Sequence, residues 1–283
     1  MGNNSTYFAT LIYKSAGVDS KIDEWLLMSS PGYMLILLLL YLVFVLFIGP
    51  RLMENRKAFL LRRTLQVYNT FQILYNLFMI ITLSFKKTYI IEKLISNNCQ
   101  VHRTPDELLD SSVCGWYYLL SKIIDLLDTI FIVLRKKQSQ VSFLHVYHHS
   151  IMVITSWTIL KYVPMTEEFA FGYLLNNMVH VMMYFYYLVA AMGPQYQKLL
   201  WWKKYMTRIQ LGQFVFILLY LAAMVMKGCE LSQGVKLGLI LNASVFLLLF
   251  ADFYRKTYAN KAVQKNVSTE KSKQDRVNKY AMI

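Results

Sequence analysis

Three of the chain's five histidines, His145, His148 and His149, fall at i, i+3 and i+4, a spacing that sets all three on one face of a helix. A fourth, His180, stands in a stripe with Asn176, Tyr184 and Tyr187 at i, i+4, i+8 and i+11. Lys122, Asp125, Asp128 and Thr129 form a third stripe, and Gln140, Thr207, Gln210 and Gln213 add polar groups near the starts of two further segments. Clustered imidazoles serve two chemistries. They ligate transition metals, here with Asp125 and Asp128 as further donors, or they act as nucleophile and general base near neutral pH. A membrane di-iron centre draws histidines from several such boxes, more than the five this chain has. The acyl-transfer reading, with no metal, is therefore preferred.

The elements that must position these groups are membrane helices. The chain is 56% hydrophobic and only 16% charged, against about 25% charged in a soluble domain. Seven apolar stretches stand out, at Tyr33–Ile48, Leu65–Phe85, Cys114–Leu134, Ser142–Leu160, Phe169–Met192, Ile209–Met226 and Lys236–Phe253. The fourth is the least apolar because it carries the histidines. The expected fold is all-α and integral to the membrane, with seven transmembrane helices, a lumenal N-terminus and a cytosolic C-terminus. Residues 1–31 form a lumenal N-terminal segment, 32–254 the helical domain, and 255–283 a basic cytosolic tail without fixed structure.

Charge supports that orientation. Segments 51–64, 135–141, 193–208 and 254–283 hold twenty Lys and Arg, against nine on the opposite side, as the positive-inside rule requires. The net charge of +14 thus reads as membrane orientation rather than nucleic-acid binding. All three cysteines fall on the lumenal side, where a Cys99–Cys229 disulfide is permitted. Met1-Gly2 opens a myristoylation pattern, whereas Asn3 and Asn4 head overlapping glycosylation sequons. The charge distribution favours the sequons.

Depth brings the polar groups together. At 1.5 Å per residue, His148 lies about 12 Å beyond Gln140, and Asp125 and Asp128 about 15 and 10 Å from Arg135. Four helices therefore direct polar groups into one slab in the cytosolic half. Ionisable side chains at such depth are costly and mark functional sites. No cysteine reaches this slab, which excludes a Cys–His–Asn condensing site, and no nucleophile-elbow motif surrounds Ser142 or Ser150.

Four ordered motifs carry a resemblance: Lys122-Ile-Ile-Asp125-Leu-Leu-Asp128-Thr129, Gln140-Val-Ser-Phe-Leu-His145-Val-Tyr-His148-His149, Asn176-Asn-Met-Val-His180-Val-Met-Met-Tyr184-Phe-Tyr-Tyr187 and Thr207-Arg-Ile-Gln210-Leu-Gly-Gln213. With Asn55-Arg56-Lys57 and Tyr68-Asn69, the chain resembles the very-long-chain fatty acid elongases over roughly residues 30 to 255. One departure is Asp125, where the family usually has Glu. The resemblance implies condensation of an acyl-CoA with malonyl-CoA to a 3-oxoacyl-CoA two carbons longer, releasing carbon dioxide and CoA, with no resident cofactor. It implies His148 as acyl acceptor, His145 and His149 as its supports, and His180 and Asn176 at the enolate. Lys122, Asp125 and Asp128 would position the histidines and the CoA end. Arg135, Lys136, Lys137, Lys203 and Lys204 would attract the CoA phosphates, and the bundle would enclose an apolar acyl tunnel. It further implies residence in the endoplasmic reticulum membrane, among membrane lipid and the reductases and dehydratase of the elongation cycle. The rival readings are a histidine-box metal enzyme acting on lipid and a seven-helix transporter or receptor.

Overall fold

A computed structural model describes residues 17–85, 104–163, 168–227 and 233–259. All regular structure among them is helical. A short helix, α1 (Val18–Asp23), precedes α2 (Pro31–Glu54), α3 (Arg62–Phe85), α4 (Pro105–Leu134), α5 (Phe143–Tyr162), α6 (Glu168–Ala191), α7 (Lys203–Met226) and α8 (Gln233–Tyr254). Each apolar stretch of the sequence falls in one of the helices α2–α8, apart from Ser142, the N-cap one residue before α5, and Met192, one residue past α6. By length and composition α2, α6, α7 and α8 can cross a membrane. The chain is thus an all-helical, multi-pass membrane protein. Helices α3, α4 and α5 are of similar length but more polar, and they are the ones that carry most of the buried ionisable and amide groups.

Helix starts are set by local chemistry. Thr104 and Glu107 form a reciprocal capping box around Pro105, so α4 begins nine residues before the apolar stretch at Cys114. Ser142 caps α5 by accepting from the His145 backbone N–H at 3.2 Å, which fixes the histidines in the first two turns of that helix. A π turn at Phe44–Ile48 interrupts α2. At the far end of α6, Gly193 adopts φ +118°, and the Arg62 guanidinium and Gln66 amide of α3 donate to the carbonyls of Met192 and Ala191. These bonds satisfy carbonyls that a helix end leaves open.

The most extensive helix contacts join α3 to α6, α7 to α8 and α4 to α5. A core cluster runs from α1 and α2 to α4, α5 and Phe169 of α6. The N-terminal segment belongs to it: Val18, Ile22 and Met28 are fully buried. Its backbone is held by three side chains. Trp116 donates to Leu26 O at 3.4 Å, Trp157 to Leu27 O at 2.8 Å and Lys161 to Met28 O at 2.8 Å, while Lys161 also pairs with Asp23. The Cys99–Cys229 bridge, the sequons and the tail beyond residue 259 lie outside the described residues.

Gly49 marks the tightest approach of α2 to α4. A Cβ there would lie 2.7 Å from Val133 Cγ1 and 2.8 Å from Phe44 O. Gly49→Ala is expected to destabilise the fold by about 1–3 kcal/mol, read as a lower midpoint in thermal unfolding of the purified protein in detergent.

Candidate active site

The site is built around a buried ion pair. Lys122 and Asp125, one turn apart on α4, meet at 3.0 Å with each residue 2% exposed. A charge this deep requires a partner and further hydrogen bonds, and the neighbouring helices supply them. Asp125 Oδ1 accepts from Gln72 Nε2 of α3 at 2.7 Å, and the Tyr184 hydroxyl of α6 lies 2.8 Å from it. Lys122 Nζ donates to Asn176 Oδ1 at 3.0 Å, and Tyr118 O–H donates to the same oxygen at 3.0 Å. The Asn176 carbonyl is thereby filled and its two N–H donors are left to act elsewhere. Next along the α6 stripe, His180 Nδ1 is 3.6 Å from Asp125 Oδ2.

The histidines of α5 face this pair. His145 Nε2 is 2.9 Å from Thr129 Oγ1, which is 2.8 Å from the Tyr41 hydroxyl, so a chain of hydroxyls anchors the first histidine to α4 and α2. The ring of His149 is 4.5 Å from that of His145 and 5.4 Å from that of His148. On its other side His148 meets aromatic rings of α8, Phe246 at 5.0 Å and Phe250 at 6.1 Å. His149 and His180 are buried, while His145 and His148 are half-buried. Among the described residues, no three His, Cys, Asp or Glu side chains are arranged about a single metal position.

An apolar pocket, about 840 Å³ counting the open space at its mouth, lies beside the cluster. Asn176, Gln213 and Phe246 line its near end; Met152, Ile159, Phe214 and Leu221 line its wall. Phe171 and Tyr220, stacked at 4.5 Å, stand at its far end.

The sequence-predicted residues divide accordingly. Lys122, Asp125, Asp128, Thr129, His145, His148, His149, Asn176, His180 and Tyr184 are brought together, and Gln213 joins through the cavity. Thr207 is buried and Gln210 half-buried, the latter donating to Met183 Sδ at 3.8 Å. Tyr187, 41% exposed, meets the network at its rim, its ring 6.1 Å from that of Tyr184. Gln140 is exposed in a 3-10 turn ahead of the α5 cap. Lys136 adopts φ +55° and donates to Glu54 O and Arg56 O, so its charge closes a loop. Partial burial, Arg135 and Lys203 together hold the Lys137 amine below the ordinary lysine value, which sets the 135–137 loop and the start of α7 on one basic face. Lys204 lies over the Tyr254 ring at 5.9 Å. The sequence reading missed Gln72, Tyr41 and Tyr118 as site residues. Tyr68, Asn69, Gln72 and Asn76, recurring along one side of α3 and all buried, are the signal that could have found the first.

A helical membrane bundle with a buried lysine–carboxylate pair, a histidine box and an adjoining apolar cavity defines the class. The chain matches the ELO: GNS1/SUR4 family over residues 26–266. It is 42% identical over 242 residues to very long chain fatty acid elongase 7 of Rattus norvegicus, covering 85% of each chain. It is 39% identical over 246 residues to very long chain fatty acid elongase 4 of Homo sapiens, covering 85% of this chain and 76% of that one. With elongase 1 of Mus musculus the identity is 36% over 255 residues, 88% and 91% of the two chains. The chain belongs to the ELO family.

Gln72 donates into the carboxylate that everything else meets. Gln72→Leu would leave Asp125 one donor short and is expected to cost about 1–3 kcal/mol, measured as a fall in thermal unfolding midpoint against wild type.

Proposed function

We propose that this protein is a very-long-chain fatty acid elongase of the endoplasmic reticulum membrane. It condenses a long-chain acyl-CoA with malonyl-CoA to a 3-oxoacyl-CoA two carbons longer. The observation that carries this reading is the histidine box of α5, tied to α4 through Thr129 and with His148 packed on Phe246 in the lining of an apolar cavity that Asn176, the partner of Lys122, also borders. The family membership and the relatives' names support it.

In this reading all seven long helices cross the membrane, with the N-terminus lumenal and the basic face of Arg135, Lys137, Lys203 and Lys204 cytosolic. That face takes the CoA phosphates, which is charge-assisted binding, and the acyl chain enters the cavity. His148 Nε2 or Nδ1 attacks the thioester carbonyl, the C–S bond breaks, and CoA departs as the thiol with the imidazole's proton. His145 and His149, packed ring to ring with it or through one another, hold its orientation. Malonyl-CoA then loses carbon dioxide, leaving an electron pair on the adjacent carbon as an enolate. The free N–H donors of Asn176 and the His180 imidazole stabilise that developing negative charge. The carbanion forms the new C–C bond, the acyl–histidine bond breaks, and the 3-oxoacyl-CoA leaves. No resident cofactor is needed. The product is substrate for a reductase, so the other enzymes of the elongation cycle are the expected partners.

Microsomes containing wild type are expected to incorporate malonyl-CoA into products two carbons longer, and His148→Ala to fall to background at equal expression. Wild type that elongates no acyl-CoA refutes the function. Trapping with acyl-CoA alone is expected to yield an acyl group on His148. Its absence from an active wild type refutes the covalent route and leaves histidine as base.

A further inference from the structure

Asp128 takes no part in the steps above, yet it is tied to the heart of the network. Its Oδ2 lies 2.8 Å from the Tyr184 hydroxyl, which is equally close to Asp125 Oδ1. A phenol carries one hydrogen and two lone pairs. Gln72 Nε2 lies 3.1 Å from this oxygen, its two hydrogens shared among Asp125, Tyr68 and Tyr184. If Tyr184 donates to Asp125, its oxygen meets a second carboxyl at hydrogen-bond distance with no hydrogen of its own left. That contact is attractive only if the second carboxyl supplies the hydrogen. Asp125 is the anion of the two, since it alone has Lys122 Nζ at 3.0 Å and Gln72 Nε2 at 2.7 Å. Charge counting agrees: one buried lysine stands against two carboxyls, and an uncompensated charge at membrane depth costs at least about 2.5–3.5 kcal/mol. The groups around the pair are Tyr41 of α2, Tyr68, Gln72 and Tyr75 of α3, Tyr118 and Lys122 of α4, His148 of α5, and His180, Tyr184 and Tyr187 of α6; Lys122 is the lysine counted.

We propose that Asp128 is a positioning residue that stores, through Tyr184 and Asp125, the proton that condensation consumes. The inference rests on the condensing reading. When the new C–C bond forms, the acyl–histidine C–N bond breaks and its electron pair returns to the imidazole, which then lacks one proton. Asp128 passes its hydrogen to Tyr184 O as Tyr184 passes its own to Asp125 Oδ1. Asp125 faces His180 Nδ1 at 3.6 Å through its other oxygen, and that nitrogen is buried with no hydrogen-bond partner. It is the point where the proton enters the histidine set, the carboxyl turning to present it, and His180 yields a proton from its other nitrogen to the His148 imidazole that has lost its acyl group. Asp128, half-buried, is left as carboxylate and regains a proton from water beyond the exposed Tyr187 edge.

Asparagine at 128 keeps an N–H donor toward Tyr184 but holds no transferable proton, and glutamate keeps one. Purified wild type, Asp128→Asn and Asp128→Glu would be compared for malonyl-CoA-dependent condensation across pH, with thermal unfolding alongside. Asp128→Asn is expected to melt with wild type, to keep its KM for acyl-CoA, and to lose kcat by about 10²-fold or more. The fall of wild-type kcat in alkaline buffer should vanish in it, and Asp128→Glu should recover rate over asparagine. Asp128→Asn turning over at the wild-type rate overturns the proposal. So does an equal loss in both variants accompanied by lower melting, which marks Asp128 as structural. Wild type that condenses nothing fails the function instead, so the two failures are separable.

Discussion

The Lys122–Asp125 ion pair is the constraint on which the rest of the architecture depends. A lysine and an aspartate inside a membrane bundle are tolerable only if the pair is complete and its remaining hydrogen-bonding capacity is met. Meeting it recruits α3 through Gln72 and α6 through Asn176 and Tyr184. The contact of α3 with α6, the most extensive in the bundle, is thus joined at its centre by groups that both answer to one carboxylate. The chemistry and the packing are the same set of contacts.

The histidine box is attached to this centre by a separate route. The Ser142 cap sets where α5 begins, and the Thr129 and Tyr41 hydroxyls set how His145 turns. Among the described residues His148 has no such tether. It is bounded by ring faces, His149 on one side and the α8 phenylalanines on the other. A group that must gain and lose a substituent is better held by shape than by hydrogen bonds to its own nitrogens. That division of labour follows from the i, i+3, i+4 spacing, which gives three imidazoles one face but three different neighbours.

Much of the site was legible because ionisable residues are rare in apolar stretches and fall at helical spacing. Lys122, Asp125, the histidines and the α6 stripe could be read that way. Gln72 was harder to read: its stripe with Tyr68, Asn69 and Asn76 marks a polar side of α3, but a neutral amide in a membrane helix is equally a bridge between helices, and nothing in α3 alone points to Asp125. Tyr187 shares the phase of Asn176 and His180 but lies at the rim of the cluster, its ring edge on Tyr184 and the residue 41% exposed, a depth that phase alone does not give. Lys136 read as a free charge because its left-handed backbone, which swings the amine onto the carbonyls of Glu54 and Arg56, is a property of the loop and not of the residue. The start of α4 lay in plain view as Thr104-Pro105-Asp106-Glu107, a capping sequence that a search for apolar runs passes over.

The segment before α2 is gripped in an unusual manner. Trp116, Trp157 and Lys161 hold the carbonyl oxygens of three successive residues, Leu26, Leu27 and Met28. Such a grip reads the path of the chain and not its spelling. Leu26 is exposed and Leu27 half-buried, while Met28 is fully buried. Leu26 is therefore free to drift in sequence, whereas Leu27, at φ +67° and packed on the core, and Met28 are not, and much of the burden of holding the segment passes to the two indoles and the lysine on the helices beneath.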